Sequence, residues 1–168
     1  MYLLDTRVIA ELRKAKSGRA DAGVAGWAGA IASQNMFMSV LSLLELESGV
    51  AQAMRKDRTQ GAMLRAWLDD QVMKAFDGRI LAVDAAVVKR RSGLHFGEPR
   101  NDRDALLAAT ALVHGLTLVT RNLAAFRAGK VKLFNPWGYT AELDEANADW
   151  QQATQSGPLW LKNLFLRF

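Results

Sequence analysis

Short apolar runs alternate with longer stretches of helical periodicity along this chain. Tyr2-Leu3-Leu4 leads into Asp5 and reads as a short buried strand over residues 1–5. Thr6 or Asp5 can cap a helix over 7–14, and a Lys/Ser/Gly turn follows at 16–18. Val24, Trp27 and Ile31 recur at helical spacing in an alanine- and glycine-rich stretch, 20–34. Met36 to Val40 reads as a second strand. A helix over 41–56 carries Leu41, Leu44, Glu45, Ser48 and Gly49 on one stripe. The next, over 59–76, has Met63, Leu64, Trp67, Leu68 and Val72 as its apolar face. Ile80 to Val83 reads as a third strand, and Asp84 caps a helix over 85–95. A loop at 96–101 precedes a helix from Asp102 to His114, which Gly115 stops. Leu116 to Thr120 and Val131 to Phe134 complete the strands, separated by a turn or helical piece at 122–127. Asn135-Pro136-Trp137-Gly138 ends the last of them.

Short strands alternating with helices predict an α/β fold with a central, mainly parallel five-stranded sheet. In such sheets ligands sit outside the carboxyl ends of the strands, where Asp5, Thr120 and Asn122 fall. Residues 139–168 have a different texture, polar first and then apolar around Pro158-Leu159-Trp160. They read as a C-terminal extension of unreadable role beside a domain at 1–138.

Composition narrows the chemistry. The 168 residues contain no cysteine, which excludes disulfides, thiolate zinc sites and cysteine nucleophiles. The two histidines, His95 and His114, look structural, one at a helix end and the other before a capping glycine. No apolar run approaches the roughly 18–20 residues that span a bilayer, and no signal peptide is legible, so the expected location is cytoplasmic. The net charge of +5 is uneven. Residues 86–130 hold eight Lys or Arg against three acids, and the rest of the chain is nearly balanced. That pattern suits either a solvated face or a polyanion held at its phosphates.

Four polar groups stand out on apolar frames. Asp5 closes a strand at the mouth of the sheet, where a carboxylate costs free energy unless something cationic offsets it. Glu45 shares a helical face with Leu41 and Gly49, and points inward on that reading. Gly49 would let another backbone approach. Asp104, in the first turn of its helix, either complements the helix dipole or faces the site. Asp102 is the better N-cap. Asn122 follows Thr120-Arg121 and is either a turn residue or a site residue. Thr120 can orient Asp5, Ser42 is a second supporting hydroxyl, and Arg121 can meet phosphate. A hydrated divalent metal is the simplest cation for such a set, and it points to phosphodiester chemistry. Gly23, Gly26 and Gly29 form no phosphate loop and suit close helix packing. A phosphatase of similar form would show Asp-x-Asp, which Asp5-Thr6-Arg7 does not supply.

Five segments in register carry a resemblance: Asp5-Thr6-x-Val8-Ile9, Ser39-Val40-x-Ser42-x-x-Glu45-Leu46-x-x-Gly49, Asp104-Ala105-Leu106-x-Ala108-Ala109-Thr110-Ala111, Thr120-Arg121-Asn122 and Phe134-Asn135-Pro136-Trp137. Together they resemble the PIN-domain ribonuclease toxins of the VapC and FitB type, over roughly residues 1–138. The resemblance implies an α/β/α PIN sandwich and Mg²⁺- or Mn²⁺-dependent endoribonuclease activity. It implies a homodimer neutralised by a VapB-type antitoxin. It places Asp5, Glu45 and Asp104 as the acidic metal ligands, with Asn122 where some members carry a fourth acid. The basic side chains Arg7, Arg103 and Arg121 are the candidate contacts to the RNA substrate.

The chain departs from the family at Arg7, where Asp-Thr-Asn is usual. A guanidinium there can pair with Asp5 or Asp104 and compete with metal, or it can hold substrate phosphate. The first reading is preferred. It predicts weak or absent catalysis. The leading reading of the chain is still a metal-dependent endoribonuclease toxin, and a catalytically impaired module that binds RNA or antitoxin without cutting is the alternative.

Overall fold

Leu3 and Leu4 are adjacent in the central strand, and each belongs to a different core. The computed structural model describes residues 1–94 and 102–140. The expected loop at 96–101, His95 and nearly all of the 139–168 extension lie outside the described residues. Five strands, β1 (Tyr2–Leu4), β2 (Met36–Ser39), β3 (Ile80–Leu81), β4 (Thr117–Val119) and β5 (Leu133–Phe134), form one sheet in the order β3-β2-β1-β4-β5. Every pairing is parallel. Leu3 faces Leu118 and Leu4 faces Val119 in register, so alternation sends Leu3 and Leu118 to one side and Leu4 and Val119 to the other. Both faces are covered, which is why these strands are mainly apolar, with Thr117 and Ser39 at strand ends.

On the Leu4 side pack α1 (Thr6–Leu12), α2 (Ala22–Ala30), α3 (Val40–Lys56) and α4 (Arg58–Trp67). A π-helical turn at Leu68–Val72 and one last turn, α5 (Met73–Ala75), continue α4. On the Leu3 side packs α7 (Asp102–Val113), with α8 (Leu123–Phe126) behind it. The small residues Ala105, Ala108 and Ala111 of α7 are fully buried and let the helix lie close to the sheet. α6 (Ala85–Ser92) packs against α7.

Local chemistry sets the helix starts. Asp21, Ser39, Asp57 and Asp84 each accept a backbone N–H from the first turn of α2, α3, α4 and α6. Gly115, at φ 64°, ends α7 in the left-handed conformation that glycine adopts without strain. Gly23 sits where a Cβ would come within 2.6 Å of the Pro136 carbonyl, so close packing does explain it.

Several expectations change. The buried face of α3 is Ser42, Leu46 and Val50, so the stripe through Leu44, Ser48 and Gly49 is exposed. Nothing lies within 4 Å of the Cβ position of Gly49, and no backbone approaches it. The close approach is instead at Gly61 of α4, whose Cβ would stand 2.6 Å from the Met54 backbone of α3. Met63 is exposed, because the buried side of α4 runs through Gly61 and Trp67 to Leu68 and leaves Met63 off it. Asp102 is the first residue of α7 rather than its cap, and its carboxylate pairs with Arg91. Among the described residues no helix is long and apolar enough to cross a membrane.

Candidate active site

The sheet order reverses its direction of winding at β1. A parallel sheet leaves a crevice at that point, outside the strand ends. Asp5 stands in it. Its N–H donates to the Val119 carbonyl (3.0 Å), which pins it to β4, and its own carbonyl accepts from Val8 (2.9 Å) to open α1. One residue therefore ends the strand and starts the helix, which fixes its side chain at the mouth of the sheet.

Thr120 holds that side chain. It is fully buried, its N–H donates to the Phe134 carbonyl (2.9 Å), and its hydroxyl donates to Asp5 Oδ2 at 2.7 Å. The same hydroxyl oxygen accepts the Asn122 N–H at 3.1 Å. The buried Ser42 hydroxyl donates to the Leu4 carbonyl (3.3 Å) and ties α3 to the strand one residue before Asp5.

Burial raises the Asp5 carboxyl above its usual range. The Thr120 hydrogen bond opposes that rise, the charge of Glu45 adds to it, and the Thr6 backbone and Arg7 oppose it. Asp104, half-buried in the first turn of α7, is raised by burial and by the charges of Asp5 and Glu45, with Arg103 and Arg7 opposing. The three carboxylates thus share one field, although they come from β1, α3 and α7.

Glu45 sits at the rim of this cluster rather than pointing inward. It precedes Leu46 on α3, at the edge of the buried face, and its side chain is 31% exposed. Its Oε1 is bound by Arg103 at 2.7 Å. Among the described residues no three acidic or imidazole side chains are drawn together tightly enough to hold a metal ion as they stand.

The expected pairing of Arg7 with Asp5 or Asp104 is not formed. Arg7 is exposed and makes no ion pair among the described residues, and it acts on both carboxylates only through space. The helix turns its long side chain toward solvent, where a guanidinium stays hydrated. The Asn122 side chain accepts from Ala125 N–H (3.4 Å) as the cap of α8, which is the turn role. The Arg121 guanidinium lies over the Trp137 ring at 5.3 Å, at the exposed edge of the same strand end. His114 is exposed ahead of Gly115.

Two features escape a reading along the sequence. Glu47 is bound through both oxygens by Arg65 (2.6 and 2.9 Å), which ties α3 to α4 and lowers the Glu47 carboxyl. Arg13, Lys14, Ser17 and Arg19 line an open basic pocket after α1. The density of cations over residues 13–19 was the available signal for it.

Comparison with known proteins agrees with this architecture. The chain matches the family described as PIN domain over residues 2–131. It is 33% identical over 143 residues to Toxin FitB of Neisseria gonorrhoeae, covering 82% of this chain and 99% of that protein. It is 32% identical over 143 residues to VapC ribonuclease Y4jK of Sinorhizobium fredii, covering 82% and 98%. A solved structure of FitAB bound to a DNA fragment superposes with a TM-score of 0.72 at 29% identity, covering 82% of this chain and 96% of that one.

Proposed function

Because the chain belongs to the PIN-domain family, we propose that it is a metal-dependent endoribonuclease, the toxin of a type II toxin–antitoxin pair. The observation that carries this reading is the electrostatic coupling of Asp5, Glu45 and Asp104 at the crevice of the sheet. Two of these carboxyls are raised by burial and by their neighbours' charge, and Arg103 and Arg7 offset that rise only in part, so the cluster favours a further cation. Their donors are all carboxylate oxygens, the kind that hold Mg²⁺ or Mn²⁺. Asp5, Glu45 and Asp104 would hold the divalent cation, which when bound would supply charge to the scissile phosphate and lower the cost of generating a nucleophile. Hydrolysis joins a water oxygen to phosphorus and releases one ribose oxygen.

The protein's own groups have distinct tasks in this scheme. Thr120 orients the Asp5 carboxylate, and Ser42 ties α3 to the Leu4 carbonyl beside it. Arg7, Arg103 and Arg121 offer cations to the RNA backbone at the rim. The RNA strand must be unpaired or splayed for its phosphate to reach Asp5. Relatives bearing the names toxin FitB and VapC ribonuclease support both halves of the proposal. The FitAB assembly supports a second protein component of the VapB kind here. A homodimer acting in the cytoplasm completes the reading.

The impaired alternative depends on Arg7 engaging a carboxylate. Arg7 is exposed and pairs with none of the described residues, which favours the active reading instead. The test is induced expression in a bacterial host, with the 5′ ends of extracted RNA mapped. Wild type should arrest growth and produce new RNA ends, and Asp5→Ala should do neither. Equal arrest and equal ends from both proteins would overturn the proposal.

A further inference from the structure

Arg103 and Glu45 are separated by 58 positions in sequence and meet at 2.7 Å at the rim of the acidic cluster. Arg103 lies next to Asp104 on α7, so the helix that carries one carboxylate of the cluster also carries the guanidinium that reaches another on α3. Its exposure of 54% leaves the guanidinium partly in water, and such a pair is weak enough to exchange. Glu45 is the carboxylate at the edge, and among the described residues no three acids are gathered tightly enough for one ion as the side chains stand. The same guanidinium also opposes the rise of Asp104, so it supplies the positive charge that the cluster otherwise lacks.

From this juxtaposition we infer that Arg103 is a positioning residue. It is an internal counter-ion that holds Glu45 at the rim in the metal-free protein, and its release lets Glu45 join Asp5 and Asp104 and frees the guanidinium to grip RNA phosphate. The inference rests on the metal-dependent reading above. It assigns Arg103 two successive partners, first a carboxylate of its own chain and then a phosphate of the substrate. A planar fork of donors suits both, and a carboxylate and a phosphate present it with similar pairs of oxygens. The exchange puts two positive charges at the cluster in place of one, so the three carboxylates are more nearly balanced once the divalent ion is bound. An acid cluster with an internal cation need not recruit one from solvent, and it gives up that cation when a divalent ion replaces it.

The test is calorimetric titration of the purified full-length chain with Mn²⁺, followed by binding of a single-stranded RNA oligonucleotide in Ca²⁺. Arg103→Ala should bind Mn²⁺ about threefold to tenfold more tightly than wild type, in keeping with loss of a half-exposed ion pair and one nearby positive charge. It should bind the RNA about threefold to tenfold more weakly, in line with loss of a phosphate contact. Arg103→Lys should lie between wild type and Arg103→Ala in both measurements. Unchanged or weaker Mn²⁺ binding by Arg103→Ala would overturn the inference. Asp5→Asn separates the two levels. If it abolishes Mn²⁺ binding while Arg103→Ala leaves it unchanged, the counter-ion role fails and the metal site stands. If Asp5→Asn binds Mn²⁺ like wild type, the metal reading itself fails.

Discussion

The Thr120 hydroxyl donates to Asp5 Oδ2 at 2.7 Å across 115 positions of sequence, and its oxygen accepts the Asn122 N–H in return. A hydroxyl has one proton. The donor from Asn122 therefore fixes the direction of that proton toward Asp5. The carboxylate is oriented by a residue that is itself locked into the sheet through Phe134.

Removing this hydroxyl should disturb the site without disturbing the fold. Thr120→Val keeps the volume and deletes the donor. We expect a loss of about 10- to 100-fold in turnover, the usual scale for a group that orients a metal ligand, with little change in KM for RNA. Thr120→Ser should retain most of the activity. Steady-state kinetics on an RNA oligonucleotide check this, and equal losses in both variants would argue for a packing role alone.

The raised carboxyls predict an unusual pH dependence of stability. Asp5 and Asp104 are held above their ordinary values by burial, so the folded protein binds their protons more tightly than the unfolded chain. Their favourable contribution is complete below the ordinary carboxylate range and is lost as pH rises through the raised values. In metal-free buffer Asp5→Asn should match wild type in acid and melt higher near neutral pH. A rise of about 2–4 °C corresponds to about 1 kcal/mol for a chain of this size. Added Mg²⁺ should raise the melting temperature of wild type and not that of the variant. Thermal melts across pH, with and without Mg²⁺, measure both effects.

The sequence makes Asp5 and Thr120 legible because both end strands, and position on a parallel sheet is a local property. Ser42 is a different case, a hydroxyl in the first turn of α3 whose partner, the Leu4 carbonyl, lies on another element. The Arg103–Glu45 pair is not legible, since only the folded sheet brings α3 and α7 to a common rim. Gly49 shows a different limit. Helical periodicity places it beside Glu45 and says nothing of what lies opposite, which is open space. Gly23 is needed for close packing, but against the Pro136–Tyr139 backbone, remote in sequence and not helical, while Gly26 has only an ordinary contact with Tyr139. Asn122 looked equally suited to site and turn, and the structure gives its side chain to the α8 cap.

Arg7 gives a third prediction. It reaches Asp5 and Asp104 only through space, among the weakest influences on each. Arg7→Asn should therefore change Mn²⁺ affinity by less than about threefold, as expected for an exposed charge screened by solvent and salt. A gain of an order of magnitude in calorimetric titration would restore the competition between Arg7 and metal.

Two glycines should respond in opposite directions. At Gly61 an added Cβ meets the Met54 backbone, so Gly61→Ala should destabilise by about 1–3 kcal/mol, as overpacking does. At Gly49, mid-helix and open, alanine should stabilise by about 0.5–1 kcal/mol. Urea denaturation of the two variants reads the difference, and similar midpoints would contradict the α3–α4 crossing described above.

The central claim is that Asp5, Glu45 and Asp104 cut RNA with a divalent cation. Cleavage of a single-stranded RNA by purified wild type and Asp104→Asn in Mg²⁺ or Mn²⁺ tests it most directly. Wild type should cut at defined positions and stop when EDTA is added, and Asp104→Asn should be slower by about a thousandfold or more, the scale of several kcal/mol of transition-state stabilisation. Cleavage that survives EDTA, or that proceeds equally in Asp104→Asn, would contradict it.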